Sequence, residues 1–241
     1  SYDGHKGSGY QAQISETCSE SNEAQLITGV SVEPAHCPDR DALKPMLDQL
    51  DTNDRQPELL FADTLYGSDE NVEAAAQQGV DLQSPVSGVP PCNAADLTID
   101  DFVIDDDRHV VQRCPAGHEP LSSQYDSEQD QTVTEMAPCD CAGCDFFDQC
   151  PVKKVRERYI ATHSPAQRRL AARRAEQSTT AFSENYSIRG GGESVNSALK
   201  RMTGMGRLRV RGRPHMELGV YLRCAGWNLS RAIAALKKRG L

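Results

Sequence analysis

Apolar and polar residues alternate with a period of two along Gly9 to Thr17 (GYQAQISET), and a second β-rich run follows at Gln25 to Val32 (QLITGVSV). With polar residues between them as a turn, the two runs predict an antiparallel pair of strands. Residues 39–50 (DRDALKPMLDQL) place Leu43, Met46, Leu47 and Leu50 at spacings of 3, 1 and 3 behind an Asp-rich start, which predicts an amphipathic helix with Pro45 in its first turn. Glu58 to Ala62 (ELLFA) has the continuously apolar character of a buried central strand and ends on Asp63. Ser68 caps a helix through Gln78 that Gly79 closes, and Val80 to Val86 is a further strand. Strands, helix, strand, helix, strand is the order of a mixed α/β core.

From about residue 87 to 185 the texture changes: Pro90-Pro91, an acidic run at Asp105-Asp106-Asp107, a cluster of cysteines, then an Arg-rich stretch of helical character over 151–177. This organisation predicts a first part of the core over 1–86, an insertion over 87–185, and completion of the core over 186–241. Helices are expected over 193–203 and over 216–238, where Leu218, Leu222, Ala225, Leu229, Ala232 and Leu236 step along one face. The polar, Pro-rich insertion has too few apolar residues for a core of its own, so a bound metal is expected to organise it. No run approaches the roughly 18 apolar residues of a membrane helix. The chain opens on Ser1-Tyr2-Asp3-Gly4 and reads as a piece of a longer protein.

The net charge of −9 conceals a strong asymmetry. Residues 1–150 hold 6 Lys+Arg against 30 Asp+Glu (−24), while residues 151–241 hold 20 against 5 (+15). A basic segment this concentrated suits a phosphate backbone; the plainer reading is two solvated faces of opposite sign that attract each other.

Five of the nine cysteines fall between residues 114 and 150 as Cys114-x3-His118 and Cys139-x-Cys141-x2-Cys144-x5-Cys150. Four thiolates, or three and an imidazole, satisfy tetrahedral zinc, and such spacing in a chain without a signal segment fits a reducing compartment better than a disulfide scaffold. Scattered buried thiols are the alternative. Asp63, at the carboxyl end of its strand, is placed to hold a divalent cation, although an Asp there is also a common turn former. Tyr186, Arg189, Glu193 and Lys200 are spaced Y-x2-R-x3-E-x6-K, which on a helix projects Glu193 and Lys200 from one face. Arg207, Arg209, Arg211 and Arg213 alternate with Leu208, Val210 and Gly212; if extended, all four guanidiniums leave one face and can follow a phosphate backbone. Arg168, Arg169, Arg173 and Arg174 are open to either DNA contact or pairing with the acidic half.

The Y-x2-R-x3-E-x6-K string, the NSALKR, GRLRVRGR and GWNLSR segments, and the earlier GYQAQ and LLFADTLYGSDEN together resemble the DDE transposases of bacterial insertion sequences. The resemblance implies a ribonuclease-H-like mixed sheet with flanking helices, interrupted by a cysteine-rich, zinc-ribbon-like insertion. It implies two Asp and one Glu around two Mg²⁺ or Mn²⁺ ions, with Asp63 as the second acid and Glu193 as the third. Tyr186, Arg189 and Lys200 would contact DNA near the cleaved end. Because relatives carry C-x2-C-x5-C in this insertion, Cys114, Cys141, Cys144 and Cys150 are the expected zinc ligands, with Cys139 and His118 as spares. The first acid lies upstream of the GYQAQ strand in that family, where only Asp3 stands, and it is left unassigned. Gly190-Gly191-Gly192 replaces a segment that usually holds an apolar residue, so either the helix begins at Glu193 or the copy is decaying.

The activity implied is metal-dependent DNA strand cleavage and strand transfer in transposition, by a homodimer on DNA in the bacterial cytoplasm, associated with the nucleoid. Residues 1–241 alone are expected not to cleave. The alternative is a non-catalytic DNA-binding remnant of a decayed transposase.

Overall fold

Tyr10–Glu16 (β1) pairs antiparallel with Ile27–Pro34 (β2), in register from Tyr10 opposite Pro34 to Ser15 opposite Gly29, with an irregularity between Ser15 and Glu16. In this computed structural model residues 9–87 and 96–240 are described, apart from the side chains of residues 192–194. Asp3 and the Pro90-Pro91 pair therefore lie outside the described residues. A 3₁₀ turn at Asp39–Ala42 leads into Leu43–Thr52 (α1), whose Leu43, Met46, Leu47 and Leu50 are all buried. The close packing of α1 on β2 needs a glycine: a Cβ on Gly29 would stand 2.5 Å from Met46 Sδ and 2.6 Å from Ser15 Oγ. Leu59–Phe61 (β3) then runs parallel to Asp81–Gln83 (β4), joined by Asp69–Gln77 (α2), whose first turn Ser68 caps by accepting the Asn71 N–H at 3.2 Å. Leu43, Leu47, Ala75, Val80 and Leu82 form the core under this crossover.

The chain divides into two units, one of residues up to Pro85 with those from Thr180 onward, the other Val86–Thr179. The second unit pairs Val103–Asp105 (β5) with Val110–Arg113 (β6), and builds a four-stranded sheet from Ser122–Asp126 (β7), Gln131–Met136 (β8), Lys153–Val155 (β9) and Arg158–His163 (β10), in the order β7-β8-β10-β9. Pro138–Cys141 (α3) is a single turn, and Pro165–Gln177 (α4) starts at a capping box of Ser164 and Gln167. Two expectations are corrected. The stretch 151–177 is not one helix, because β-branched and aromatic residues at 158–163 pair across β8 before the Pro165 start signal. Nor is the unit without a core: Ile99, Phe102, Val111, Met136, Val152, Tyr159 and Ala161 are buried together, since alternate strand positions supply what no single apolar run advertises.

Back in the first unit, Thr180–Ser187 (α5), Gly190–Thr203 (α6) and Arg213–Lys238 (α7) complete the chain. α6 begins at Gly190, so the three glycines lie inside the helix and the expected start at Glu193 is not observed. Val195 and Leu199 of α6, with Val220 and Cys224 of α7, pack on Ile27, Val30 and Val32. The six residues that step along one face of α7 are not the ones it buries. Its inner face is Val220, Cys224, Trp227 and Asn228, held because Asn228 accepts the Ile27 N–H and donates to the Ile27 carbonyl, both at 2.8 Å. Among the described residues no helix is long and apolar enough to cross a membrane.

Candidate active site

Asp63 follows β3 and serves two purposes at once. One carboxylate oxygen accepts the Thr64 N–H at 2.7 Å, starting the 3₁₀ turn Thr64–Tyr66, and the other lies 3.2 Å from Arg189 Nη2. Its backbone carbonyl accepts the Ser84 hydroxyl at 2.6 Å, which ties the end of β3 to the residue following β4. The ion pair is half open to solvent and contributes no more than about 1 kcal/mol to stability, so its importance is positional.

The signature residues converge on the same strand end. Tyr186 donates its hydroxyl to the Ala62 carbonyl at 2.9 Å, stacks on Phe182 and meets Phe61 edge-on, and the Arg189 guanidinium lies over the Tyr186 ring at 5.8 Å. Arg189 is the N-cap of α6, and position 193 is one turn beyond it. The side chain of Glu193 lies outside the described residues. Lys200, about 10 Å further along the helix from Glu193, is exposed and does not line the cleft described next.

Asp63 and Arg189 open onto a cleft of about 540 Å³ in the first unit, with β1 residues 12–16 on one wall and Leu59–Ala62 on another, and with Val195 and Asn196 of α6 at its rim. Among the described residues β1 pairs only with β2, and β3 only with β4. Inside the cleft, Tyr66 donates to Gln13 Oε1. Burial, with Asp39, Glu33 and Asp63 nearby, pushes the phenol well above the usual tyrosine range, so it remains a donor. Glu16 also lines the cleft; burial raises its carboxyl, opposed by Arg231, and its Oε2 is buried with no hydrogen-bond partner among the described residues.

In the second unit Cys114, Cys141, Cys144 and Cys150 line one small cavity of about 20 Å³, room for about one water-sized body. A tight turn carries the first of them: the Cys114 N–H donates to the His118 carbonyl at 2.9 Å, with Gly117 at φ +91. Cys144 follows from the single turn of α3, its N–H donating to the Cys141 carbonyl at 3.3 Å. Burial pushes Cys141 up to about 11, and the neighbouring Cys150, Cys114 and Cys144 add to the rise; burial likewise raises Cys150. His118 lines the cavity with its Nδ1 3.7 Å from Asp140, whereas Cys139 is exposed and directed at Asp140 instead. The donor set of four soft thiols around a space of one atom suits zinc in kind and number. The side chains are not drawn to ligating distances: among the described residues no group of three or more His, Cys, Asp or Glu is arranged to hold a metal ion.

The alternating arginines are not on a strand. Arg207 closes a 3₁₀ turn at Met205–Arg207, residues 208–212 are irregular, and Arg213 opens α7 with its guanidinium on Glu217 at 2.7 Å. Leu208 packs toward the core beside Met205, while Arg207, Arg209 and Arg211 are exposed. Among the described residues no neighbouring strand offers the ladder that the alternation needs, and Gly212 at φ +81 ends the stretch. Arg168 pairs with Asp106, and Arg174 reaches the Ser87 carbonyl at 3.4 Å. Asn228 was not singled out by sequence; an amide inside an otherwise apolar helix face, in GWNLSR, is the signal that could have found it.

A mixed α/β chain with an acidic–basic strand end and a thiol cluster is the class these observations define. Residues 113–233 match the family model described as a transposase DDE domain, half of the chain, and the protein belongs to that family. The match takes in the thiol cluster and the Tyr186–Lys200 signature but begins after Asp63. No curated protein and no solved structure matches the chain.

Proposed function

We propose that this chain is the catalytic domain of a transposase that cleaves DNA at a transposon end and transfers the strand. The observation that supports the reading is the meeting of Tyr186 and Arg189 with residues 61–63, which brings the start of α6 to the end of β3. Asp63 and Glu193 would hold Mg²⁺ or Mn²⁺, which activates the nucleophile and steadies the leaving oxygen when bound. Asp63 fits in chemistry, being a hard oxygen donor at a cleft; its oxygen now on Arg189 must be shared with the cation. Arg189 would then turn to a DNA phosphate, and Tyr186 would keep the helix start seated on β3.

Two carboxylates leave a pair of hard cations short of ligands. The third belongs on a strand seated in the cleft between β1 and β3, which would join the two hairpin-sized sheets into the ribonuclease-H-like sheet expected of this chain. The exposed arginines at 207, 209 and 211 suit a phosphate backbone, with Lys200 nearer the cleaved end. Cys114, Cys141, Cys144 and Cys150 would hold structural zinc, making the second unit a zinc-ribbon-like insertion.

A nicking assay tests the reading. Residues 1–241 are expected to bind DNA without cleaving it, whereas the protein extended upstream of Ser1 cleaves in Mg²⁺ or Mn²⁺, and Asp63→Asn or Glu193→Gln abolishes cleavage while leaving binding. A well-folded extended protein that binds and never nicks DNA would instead identify a binding-only remnant.

A further inference from the structure

Two segments 53 positions apart in sequence meet across the cleft of the first unit. Tyr66 closes the 3₁₀ turn that Asp63 begins, and its hydroxyl donates to Gln13 Oε1 on β1. Gln13 Nε2 in turn donates to Asp39 Oδ1 at 3.0 Å. Chemistry fixes the direction of this relay. The Asp39 carboxylate can only accept, so it takes the amide nitrogen; the amide oxygen is then left to face Tyr66, which must donate. Burial and the surrounding carboxylates keep the phenol protonated, as the relay requires. The crossing lies on the α1 side of the sheet, because side chains alternate along β1: Gln11 donates to the Cys37 carbonyl and Gln13 to Asp39, while Ala12 and Ile14 pack on the cluster that holds Val195 and Leu199 of α6.

We propose that Gln13 and Tyr66 are positioning residues for Asp63, which set the distance from β1 to its carboxylate; the inference rests on the reading that Asp63 holds a divalent cation. The other contacts of the turn come from its own side of the cleft. Ser84 donates to the Asp63 carbonyl, and Asn71 Nδ2 donates to the Tyr66 carbonyl at 3.0 Å. A Cβ on Gly67 would stand 2.6 Å from both Ser84 Oγ and the Pro85 carbonyl oxygen. These contacts seat the turn on the end of β4 and on α2, and they leave its separation from β1 to the Gln13 link. That separation matters because a cation pair is only about 3.5–4 Å across, so the carboxylates sharing it must converge closely. With the third carboxylate on a strand between β1 and β3, the gap from β1 to Asp63 decides whether it can reach the same ions. Tyr66 is a suitable gauge, being planar and rigid, and its N–H donates to the Asp63 carbonyl at 2.9 Å, so a displacement of Tyr66 is passed directly to Asp63.

Gln13→Met and Tyr66→Phe each break the relay without changing charge, and two measurements follow the break. In the 241-residue chain, hydrogen exchange at the Thr64 and Tyr66 amides, both bonded within the turn, should quicken about fivefold, the equivalent of one net hydrogen bond. In the protein extended upstream of Ser1, the affinity for Mn²⁺, read by electron paramagnetic resonance, should fall by about tenfold or more. Gln13→Glu combined with Asp39→Asn reverses the first pair at constant charge: the amide now at position 39 donates to the carboxylate now at position 13, whose other oxygen accepts from Tyr66. This double variant should restore both readings, which a link that merely adds stability has no reason to do. Unchanged exchange in both single variants, faster exchange with Mn²⁺ affinity intact, or a double variant no better than Gln13→Met would each overturn the proposal. Asp63→Asn separates it from the reading beneath it: Mn²⁺ binding that survives this change overturns the metal assignment of Asp63, and the positioning role with it.

Discussion

Replacing Asn228 by Ala should loosen the first unit while touching none of the residues assigned to chemistry. The Asn228 amide satisfies both backbone groups of Ile27, which is 7% exposed, across 201 positions of sequence. Two net hydrogen bonds at about 1 kcal/mol each give about 2 kcal/mol, and imperfect access of water to the Ile27 N–H and C=O adds to this, for about 2–3 kcal/mol in all. With a urea slope of about 1–3 kcal/mol per molar, the midpoint should fall by roughly 1 M. The assay has a built-in probe, because the chain's single tryptophan, Trp227, is the neighbouring residue and stacks with Arg231 at 5.6 Å, so its fluorescence reports this unit. Ser230→Ala, exposed on the same helix, is the control and should move the midpoint by less than the equivalent of about 0.5 kcal/mol. Asn228→Asp keeps the acceptor but turns a carboxylate on the Ile27 carbonyl, and should be no better than Ala. An Asn228→Ala midpoint indistinguishable from that of Ser230→Ala would refute the argument that this amide anchors α7.

The raised Cys141 and Cys150 thiols predict that the metal-free second unit loses stability as pH rises above the ordinary thiol value of 9.0 toward about 11, because the folded state holds its protons longer than the unfolded one; added zinc should remove the slope and release protons on binding, as a thermal-melt series and a pH-stat titration would show. Burial, helped by Arg168 and His109, lowers His163, so the unfolded chain takes up the proton first and stability should fall as pH drops below the ordinary histidine value of 6.5; His163→Gln should flatten that fall in urea titrations. Changing Arg207, Arg209 and Arg211 to Gln should weaken DNA binding evenly across sequences and reduce the salt slope by about 0.9 per lost phosphate contact, whereas Arg213→Gln, whose arginine is already on Glu217, should change it less.

Local pattern carried the elements whose signals are local. The period-two run at 10–16, the 3-1-3 spacing of α1 and the Ser68 cap each specify their element through neighbours a few residues away, and each was legible. The β-strand at 158–163 was hidden behind an arginine-rich composition, because its partner β8 lies beyond a cysteine loop and pairing is not a property of either segment alone. Leu208 and Val210 alternate like a strand, and among the described residues no strand receives them. For α7 the period was correct and the face was not: a helix with apolar residues on two sides cannot disclose which side the β-hairpin takes, and an asparagine decided it. At the candidate site, the spacing from Tyr186 to Lys200 was read as one helix face bearing Glu193 and Lys200, while the hydrogen bond from Tyr186 to Ala62 and the double use of Asp63 exist only in three dimensions.

The neck of the second unit bears on the order in which the chain acquires its structure. Where that unit begins, the Val86 N–H donates to Gln177 Oε1 at 3.0 Å, and the Arg174 guanidinium reaches Ser87, so the two ends of a segment of roughly ninety residues are stitched to each other. Until this happens, α6 can find β2 only by closing a loop of about 155 residues. Once the neck is tied, the effective loop shrinks to about 65 residues, and the entropy cost of closing it falls by somewhat less than about 1 kcal/mol. A tied neck thus acts as a weak staple for the unit it interrupts, shortening the search by which α6 reaches β2.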